Sequence, residues 1–235
     1  MSRVIGIIPA HLNSTRFPRK VLAMIAGKTM LEWVWEAAKD VGFDDLVLAT
    51  PDAELGLFGQ ARGWEVQQTS HSHKRCMDCV AEAASAMAVS AGDLIVNVQS
   101  DEPLVSADEI RALIEWRQTR FVDAAIMARP LLAGQMEDPN AVKIVRSADG
   151  RMLYSTRAPI KSGLRIAGMF AMDAATLAEF HATPESPLER LEACDSNRMM
   201  DHPQFRVTVY VAPRACPSVD VPADLVRVEQ FLKGA

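Results

Sequence analysis

The sequence predicts an α/β fold built on a mostly parallel sheet with helices on its faces. Short β-branched and aliphatic runs, such as residues 3–8 and 94–98, alternate with amphipathic stretches, such as residues 29–40. Such alternation is typical of parallel strands joined by right-handed helical crossovers. After about residue 122 the apolar runs follow one another more closely, so some of those strands are expected to be antiparallel. We therefore expect a large parallel sheet and a small antiparallel portion.

Each predicted strand is a short apolar run, and each predicted helix repeats its apolar residues every three or four positions. Before residue 122 the predicted strands are residues 3–8, 46–49, 64–66 and 94–98, and the predicted helices are residues 29–40, 52–61, 77–90 and 107–118. Beyond it the predicted strands are residues 124–129, 142–145, 152–154, 165–172 and 205–211, and the predicted helices are residues 173–180, 186–198 and 222–233. No repeat or Ser/Gly linker interrupts this order, which indicates one Rossmann-like domain over residues 1–235.

Composition excludes several classes of protein. The chain has 235 residues, of which 49% are apolar, enough for a full hydrophobic core. Its net charge is −5 and it has no long basic run, so nucleic acid is not an expected partner. No apolar run approaches the length of a membrane span, and the chain opens with a strand rather than a signal peptide. A soluble cytoplasmic protein without membrane contact is the expectation.

The first predicted strand runs directly into a basic loop that carries Arg16, Arg19 and Lys20. Open α/β sheets bind their ligands just beyond the carboxyl ends of the strands. Arginine offers a planar fork to two phosphate oxygens and lysine offers a point charge, so this loop suits a triphosphate. A solvated surface loop, whose charges only keep the protein soluble, is the alternative.

Six motifs, spread in order over nearly the whole chain, resemble those of the sugar-activating nucleotidyltransferases, most closely the 3-deoxy-manno-octulosonate (Kdo) cytidylyltransferases. They are PAHLNSTRFPRKVL at 9–22, NVQSDEP at 97–103, DPNAVK at 138–143, YSTRAPI at 154–160, SPLE at 186–189 and VDVPADL at 219–225. The resemblance implies the fold of the nucleotide-diphospho-sugar transferases. It also implies attack of a sugar acid's anomeric hydroxyl on the α-phosphate of CTP, with release of pyrophosphate, for cell-surface glycan synthesis.

The resemblance further implies Mg²⁺ as cofactor, CTP and a small acidic sugar as ligands, and a homodimer. It divides the chain into a nucleotide-binding half (about 1–122), a sugar-site and dimerisation portion (about 123–215), and a C-terminal metal-ligand loop and helix (216–235). Mg²⁺ favours carboxylate, phosphate and water oxygens. The metal ligands implied are Asp101, directly after a predicted strand, and Asp220.

The predicted site residues, assigned from the resemblance and from polar or charged residues at positions that depart from it, fall into three groups. The catalytic residues are Arg16, Lys20 and Asp101. The nucleotide-binding residues are Pro9, Ala10, His11, Asn13, Ser14, Arg16, Lys20, Lys74, Arg75 and Gln99. The sugar-binding residues are Gln99, Tyr154, Arg157, Glu189 and Ser196. Arg157 is the candidate clamp for the sugar carboxylate, because a guanidinium binds a carboxylate with two parallel hydrogen bonds.

Several positions depart from the family pattern. His11 stands where the family has arginine, and Ser100 stands where it has glycine. The family's small Ser-Gly-Thr turn is replaced at residues 75–77, and Lys74 and Arg75 are expected to restore positive charge lost at His11. On the sugar side, Ile166 replaces a histidine and Ser196 a glutamine. These departures leave two alternatives open: the same chemistry on another acid, such as amino-Kdo or a nonulosonic acid, or a catalytically weak nucleotide-binding homologue.

Two histidines and two cysteines lie close together as His71-x-His73-x-x-Cys76-x-x-Cys79. Such a cluster could supply four zinc ligands or a redox pair. No second ligand pair follows at finger-like spacing, so free thiols are the default expectation. The chain has four cysteines, too few for a disulfide framework at this length.

Overall fold

A nine-stranded sheet forms the centre of the computed structural model, which describes residues 2–234. The strands in chain order are β1 Val4–Pro9, β2 Met24–Ile25, β3 Lys28–Thr29, β4 Asp45–Thr50, β5 Glu65–Gln68, β6 Leu94–Asn97, β7 Ala124–Pro130, β8 Lys143–Arg146, β9 Met152–Thr156, β10 Leu164–Asp173 and β11 Val207–Val211. Strands β2 and β3 pair with each other outside the nine-stranded sheet. The helices are α1 Met30–Lys39, α2 Ala53–Gln60, α3 Cys76–Ala86, α4 Ala107–Gln118, α5 Ala174–Ala182, α6 Pro187–Glu192, α7 Ser196–Asp201 and α8 Ala223–Gly234.

The main sheet has the strand order β11-β7-β10-β6-β1-β4-β5. Strands β5, β4, β1 and β6 are parallel to one another, and β11 is parallel to β7. Strand β10, between β6 and β7, is antiparallel to both. Strands β8 and β9 extend the sheet as an antiparallel pair beside β10. The predicted α/β class, with a mostly parallel sheet and a small antiparallel portion, is confirmed. The polar loops after β1 and β6 consequently emerge side by side.

Both faces of the sheet are covered by helices. Ile7 on β1 packs in one core cluster with Val80 of α3 and Phe180 of α5. Its neighbour Ile8 points to the other face and packs in a second cluster that includes Leu31 of α1. Strands buried on both faces read as continuous apolar runs, which explains why β1 was recognisable in the sequence. Within residues 2–234, no helix has the length and apolar character needed to cross a membrane.

The predicted helix over residues 186–198 is wrong, because two short helices replace it. Helix α6 ends at Glu192, the following Ala193 has a left-handed φ of 52°, and α7 begins at Ser196. The Asp195 carboxylate between them accepts hydrogen bonds from the thiol and backbone of α3, at Cys76 Sγ (3.3 Å) and Met77 N (3.3 Å). A contact with a distant helix therefore sets this break, and the local apolar periodicity does not reveal it.

A short hairpin and a 3-10 turn were not predicted from the sequence. The turn covers Lys20–Leu22, and the hairpin pairs β2 with β3 just before α1. Both elements are shorter than one period of any hydrophobic pattern, which is why the sequence gives no periodic signal for them. Together they return the chain from the basic loop to α1, whose N-terminus is fixed by the Thr29–Glu32 capping box.

Candidate functional site

A cavity of about 730 Å³ opens at the edge of the sheet where β1 and β6 end. Most of the predicted site residues line it: His11, Asn13, Ser14, Arg16, Lys20, Lys74, Arg75, Gln99, Asp101, Arg157, Ser196 and Asp220. Pro9 and Ala10 line a neighbouring cavity of about 310 Å³, which shares His11, Lys20 and Gln99 with the first. The two cavities thus meet at the basic loop.

The basic loop after β1 is held in place at both of its ends. At its start, the backbone N–H of Leu12 donates to the Asp52 carboxylate at 2.7 Å. At its end, the Arg19 N–H donates to the Leu12 carbonyl at 2.9 Å, and Arg19 adopts a left-handed φ of 60°. Between these anchors, Arg16 reaches across the cavity and donates to Asn140 Oδ1 (2.6 Å) and Asp220 Oδ1 (2.7 Å).

Lys20 joins the basic loop to the loop after β6. Its Nζ donates to Asp101 Oδ2 at 2.6 Å and to the Val219 carbonyl at 3.2 Å. Burial lowers the pKa of Lys20, but the charges of Asp101 and Asp220 outweigh that effect and raise the pKa above its ordinary value. The side chain is therefore a permanent ammonium, a suitable partner for phosphate oxygens.

Asp101 and Asp220 bring two carboxylates to the same side of the cavity. Burial, with the neighbouring Asp101 charge added, raises the pKa of Asp220 to about 6. Such a pair disfavours simultaneous ionisation, and a bound cation relieves that repulsion. No cluster of three or more His, Cys, Asp or Glu side chains suited to a metal occurs in residues 2–234. A donor set of two carboxylates fits Mg²⁺, which takes its other ligands from phosphates and water.

Gln99, Asn97 and Gly168 form the wall between the basic loop and the antiparallel strands. A bulge shifts the register between β10 and β7 at residues 166–170 and turns the Gly168 carbonyl toward Asn97, whose Nδ2 donates to it at 2.6 Å. Gly168 has a φ of 68°, and a Cβ at this position would lie 3.1 Å from the Gln99 side chain. The glycine therefore permits both the bulge and the close approach of Gln99.

Arg157 lines the cavity directly after β9 and contacts the backbone of the loop before β8 and of the end of α6. Its Nε donates to the Glu192 carbonyl at 3.0 Å and its Nη1 to the Pro139 carbonyl at 3.1 Å. These contacts orient the guanidinium through backbone carbonyls rather than through a carboxylate. Its guanidinium makes no hydrogen bond to a carboxylate of residues 2–234, and its role as the clamp for a sugar carboxylate stays a prediction.

Two predicted sugar-binding residues, Tyr154 and Glu189, do not line the cavity, which is a correction to the sequence-based assignment. Tyr154 is exposed, whereas the next residue of β9, Ser155, is buried. The Glu189 side chain is fully buried and accepts two hydrogen bonds from Arg198, at 2.8 and 2.7 Å. Glu189 also completes the capping box of α6. Its carboxylate oxygens thus accept hydrogen bonds from the protein itself and are not directed at a ligand.

Asn140 and Asp195 are among the polar cavity residues that sequence reasoning did not assign to the site. Asn140 lies in the DPNAVK motif, but only the structure shows that it hydrogen-bonds Arg16. Asp195 sits inside a segment predicted as continuous helix, so nothing marked it as a turn residue. Burial raises its pKa. Its Oδ2 is held by Cys76 and Met77, and the residue borders the same end of the cavity as Ser196.

Comparison with known proteins now decides the family. The family model described as "Cytidylyltransferase" matches residues 5–210. The chain belongs to this family.

Its relatives include two proteins named 3-deoxy-manno-octulosonate cytidylyltransferase. The protein from Koribacter versatilis is 35% identical over 98% of this chain and 90% of its own length. The protein from Syntrophobacter fumaroxidans is 36% identical over 98% and 97%, respectively. A solved structure of CMP:2-keto-3-deoxy-manno-octonic acid synthetase complexed with CTP has a TM-score of 0.88, with 26% identity and 99% coverage of both chains.

The departures from the family pattern lie within the two cavities. Burial and the Lys20 charge lower the pKa of His11, so its imidazole is neutral at pH 7. Ser100 is buried and borders the smaller cavity. Ile166 and Ser196 both border the larger one. Arg75 lies where the cavities meet, and its Nη2 donates to Glu185 at 3.3 Å. Charge compensation of His11 by Lys74 and Arg75 stays a prediction.

The cysteine and histidine cluster does not converge on one point. Cys79 Sγ contacts Thr69 Oγ1 at 3.3 Å, His73 pairs with Glu82 at 2.6 Å, and the Cys76 thiol donates to Asp195. Burial raises the pKa of both Cys76 and Cys79, which makes their thiolates scarce at pH 7. Cys76, Cys79 and His73 thus each have a separate partner.

We expect Gly168→Ala to destabilise the protein by about 2 kcal/mol, because the alanine would be held at a positive φ and pressed against Gln99. Gly134→Ala is the matched control, since Gly134 has a φ of 84° but the added methyl group would have no atom of residues 2–234 within 4 Å. Urea unfolding of both variants measures the difference. Equal destabilisation by the two substitutions would show that the Gln99 contact contributes nothing.

Proposed function

We propose that this protein transfers CMP from CTP to the anomeric hydroxyl of 3-deoxy-manno-octulosonate or a closely related 2-keto-3-deoxy sugar acid, with release of pyrophosphate. The observation that carries the proposal is the meeting of two cations, Arg16 and Lys20, with two carboxylates, Asp101 and Asp220, in one cavity at the strand ends. The family membership and the names of the relatives support the choice of nucleotide and sugar.

The nucleotide side of the reaction needs alignment and charge neutralisation more than covalent help. We assign the triphosphate to Arg16 and Lys20, whose positive charges lie along the wall of the cavity. The smaller cavity, beside Pro9 and Ala10, suits the base and ribose in size and in its position at the strand ends. Arg16 and Lys20 would also stabilise the negative charge that builds up on the departing pyrophosphate.

Asp101 and Asp220 are the residues that would hold Mg²⁺. Bound Mg²⁺ polarises phosphate oxygens and neutralises developing charge. The protein's contribution is to hold both carboxylates in place at the cavity, and Lys20 does so for Asp101 through its 2.6 Å contact. Arg16 holds the Asp220 carboxylate in place through its 2.7 Å hydrogen bond.

The sugar acid is assigned to the end of the cavity where Arg157, Gln99, Ser196 and Asp195 meet. Arg157 would bind the sugar carboxylate and Gln99 would hydrogen-bond ring hydroxyls. Because Ile166 and Ser196 depart from the family pattern at this end, another sugar acid, such as an amino-substituted one, is the second candidate substrate. A site built to hydrogen-bond hydroxyl or amino groups discriminates strongly between such acids.

Pyrophosphate release tests the proposal directly. The purified protein is mixed with Mg²⁺, each of the four nucleoside triphosphates, and a panel of 2-keto sugar acids that includes Kdo and its 8-amino analogue. We expect turnover with CTP and one acid, and none when Mg²⁺ is replaced by EDTA. CTP binding without turnover on any acid would favour the catalytically weak homologue, and no CTP binding would refute the proposal.

We further propose that the enzyme works as a cytoplasmic homodimer and supplies the synthesis of lipopolysaccharide or another surface glycan. Exposed apolar residues on β9 and α6 support an interface between two copies, notably Leu153 (43% exposed) and Leu191 (79% exposed). Sedimentation equilibrium of the wild type and of Leu153→Glu measures the oligomeric state. A wild-type monomer at micromolar concentration would remove the dimer from the proposal.

A further inference from the structure

Four charged side chains form a buried cluster next to the candidate metal ligands. The members, which we call the ion cluster, are Glu102, Glu109, Arg129 and Arg165, and each side chain is at most 6% exposed. Glu102 directly follows Asp101 in the chain. The two arginines are opposite each other in the register of β7 and β10. Two like charges side by side in a sheet repel each other, so each needs its own carboxylate.

The hydrogen bonds within the ion cluster supply those carboxylates. Both Oε atoms of Glu102 accept from the two Nη atoms of Arg165, with 3.0 Å between Oε2 and Nη2. Both Oε atoms of Glu109 accept from Arg129, at 2.7 and 3.0 Å. The cluster is therefore neutral as a whole and consists of two bidentate pairs, the most directional ion pairs available to side chains.

The same arginines also hold the segment that carries Asp220. Arg165 Nη2 donates to the Cys216 carbonyl at 3.1 Å, and Arg129 Nη1 donates to the Arg214 carbonyl at 3.2 Å. Residues 214–219 have no regular secondary structure, so they rely on such contacts for their position. Where this segment meets the β6 loop, the Val219 N–H donates to the Asp101 carbonyl at 3.1 Å. The ion cluster thus fastens the Asp220 segment to the Asp101 loop.

Stability alone does not account for this arrangement. Replacing a buried ion pair by apolar side chains is often neutral or stabilising, because desolvation offsets the attraction between the charges. Here the Nε atoms of Arg129 and Arg165 are also buried without a hydrogen-bond partner among residues 2–234, which adds a further cost. What the cluster provides and an apolar core would not is directional contact with two backbone carbonyls of an irregular segment.

We propose that Glu102 and Arg165, supported by Glu109 and Arg129, are positioning residues that set the placement of Asp220 relative to Asp101 and thereby the affinity for the metal–nucleotide complex. This inference rests on the proposed function for its metal-binding consequence. Its structural part, the fastening of residues 214–219, is independent of any activity.

The test uses three variants of the full-length protein and one matched control. The variants are Glu102→Gln, Arg165→Gln and the double variant, which removes both charges of the pair and so leaves no buried ion unpaired if a single variant folds poorly. The control is Arg117→Gln. Arg117 pairs with Asp173 at 2.7 Å and is 12% exposed, but it lies at the opposite edge of the sheet, where β10 ends beside the start of β6.

Two measurements are made on each protein. Hydrogen exchange of the Val219 amide reports the fastening of the segment without any ligand. Electron paramagnetic resonance of Mn²⁺ in the presence of CTP, corrected for CTP alone, reports metal affinity without turnover. We expect Val219 exchange to accelerate about tenfold and the half-saturating Mn²⁺ concentration to rise about fivefold in all three variants, with neither change in Arg117→Gln.

Unchanged Val219 exchange in the three variants would overturn the inference, as would equal acceleration in the Arg117→Gln control. Faster exchange with unchanged Mn²⁺ affinity would overturn the metal-positioning role. A wild-type protein without CTP-dependent Mn²⁺ binding would instead refute the proposed function, and the exchange data would still decide whether the cluster fastens the segment.

Discussion

Replacing Asp101 with asparagine should lower kcat/KM for CTP by about three orders of magnitude, with little change in fold. Asp101 supplies one of the two carboxylates that face the cavity, and its carboxylate also pairs with Lys20 at 2.6 Å. An amide of the same shape keeps a hydrogen bond to Lys20 but loses the negative charge that a metal requires. Pyrophosphate release at varied Mg²⁺ concentration measures the effect.

Asp149→Asn is the matched control for that substitution. Asp149 lies in the exposed turn between β8 and β9, outside the cavity lining, where its carboxylate accepts a hydrogen bond from Ser147. It should leave kcat/KM within a factor of about two, since exposed turn residues contribute little to distant sites. If Asp101→Asn retained activity similar to this control, Asp101 could not be a metal ligand.

Lys20→Met should lower kcat/KM by about two to three orders of magnitude and the free energy of unfolding by about 2 kcal/mol. The side chain is 11% exposed and forms the link between the basic loop, Asp101 and the Val219 carbonyl. Methionine fills a similar volume, but it leaves the Asp101 carboxylate without its cation and the proposed triphosphate site without one of its donors. Steady-state kinetics and urea unfolding measure the two losses separately.

Lys28→Met serves as the control, because Lys28 is 43% exposed and pairs with Glu36 on the surface. Exposed ion pairs contribute at most about 1 kcal/mol, so both activity and stability should stay close to wild type. Loss of stability without loss of activity in Lys20→Met would assign Lys20 a purely structural role and remove it from the triphosphate site.

The succession of main strands and helices along the chain could be predicted, because each is long enough to carry its own periodic signal. Strand β1 and helix α1 illustrate this: a buried apolar run and a capping box over Thr29–Glu32 define them from local residues alone. The break at Ala193 could not be predicted, since the hydrogen bonds that stabilise it come from α3, more than a hundred residues earlier in the chain. The order of the strands within the sheet also required the tertiary structure.

The residues of the candidate site likewise fall into those that local motifs predict and those that only the tertiary structure places. Arg16, Lys20, Asp101 and Asp220 were predicted from motifs in which each residue type matches the chemistry it serves, and all four line the cavity. Tyr154 and Glu189 belong to equally clear motifs but lie outside its lining. A motif specifies which residues are present, whereas the direction of a side chain depends on strand register and on competing partners. The Glu189 carboxylate pairs with Arg198, which only the packing of α7 against α6 brings into contact with it.

The sequence by itself determined the fold class, the family and the type of chemistry, because these depend on local periodicity and on short motifs read along the chain. Only the tertiary structure decided which side chains face one another across the cavity. It placed Asn140 against Arg16, and it joined Glu102 to the Asp220 segment through Arg165. Contacts between residues tens to hundreds of positions apart leave no local pattern, since their energy is realised only when the sheet brings the strand ends together.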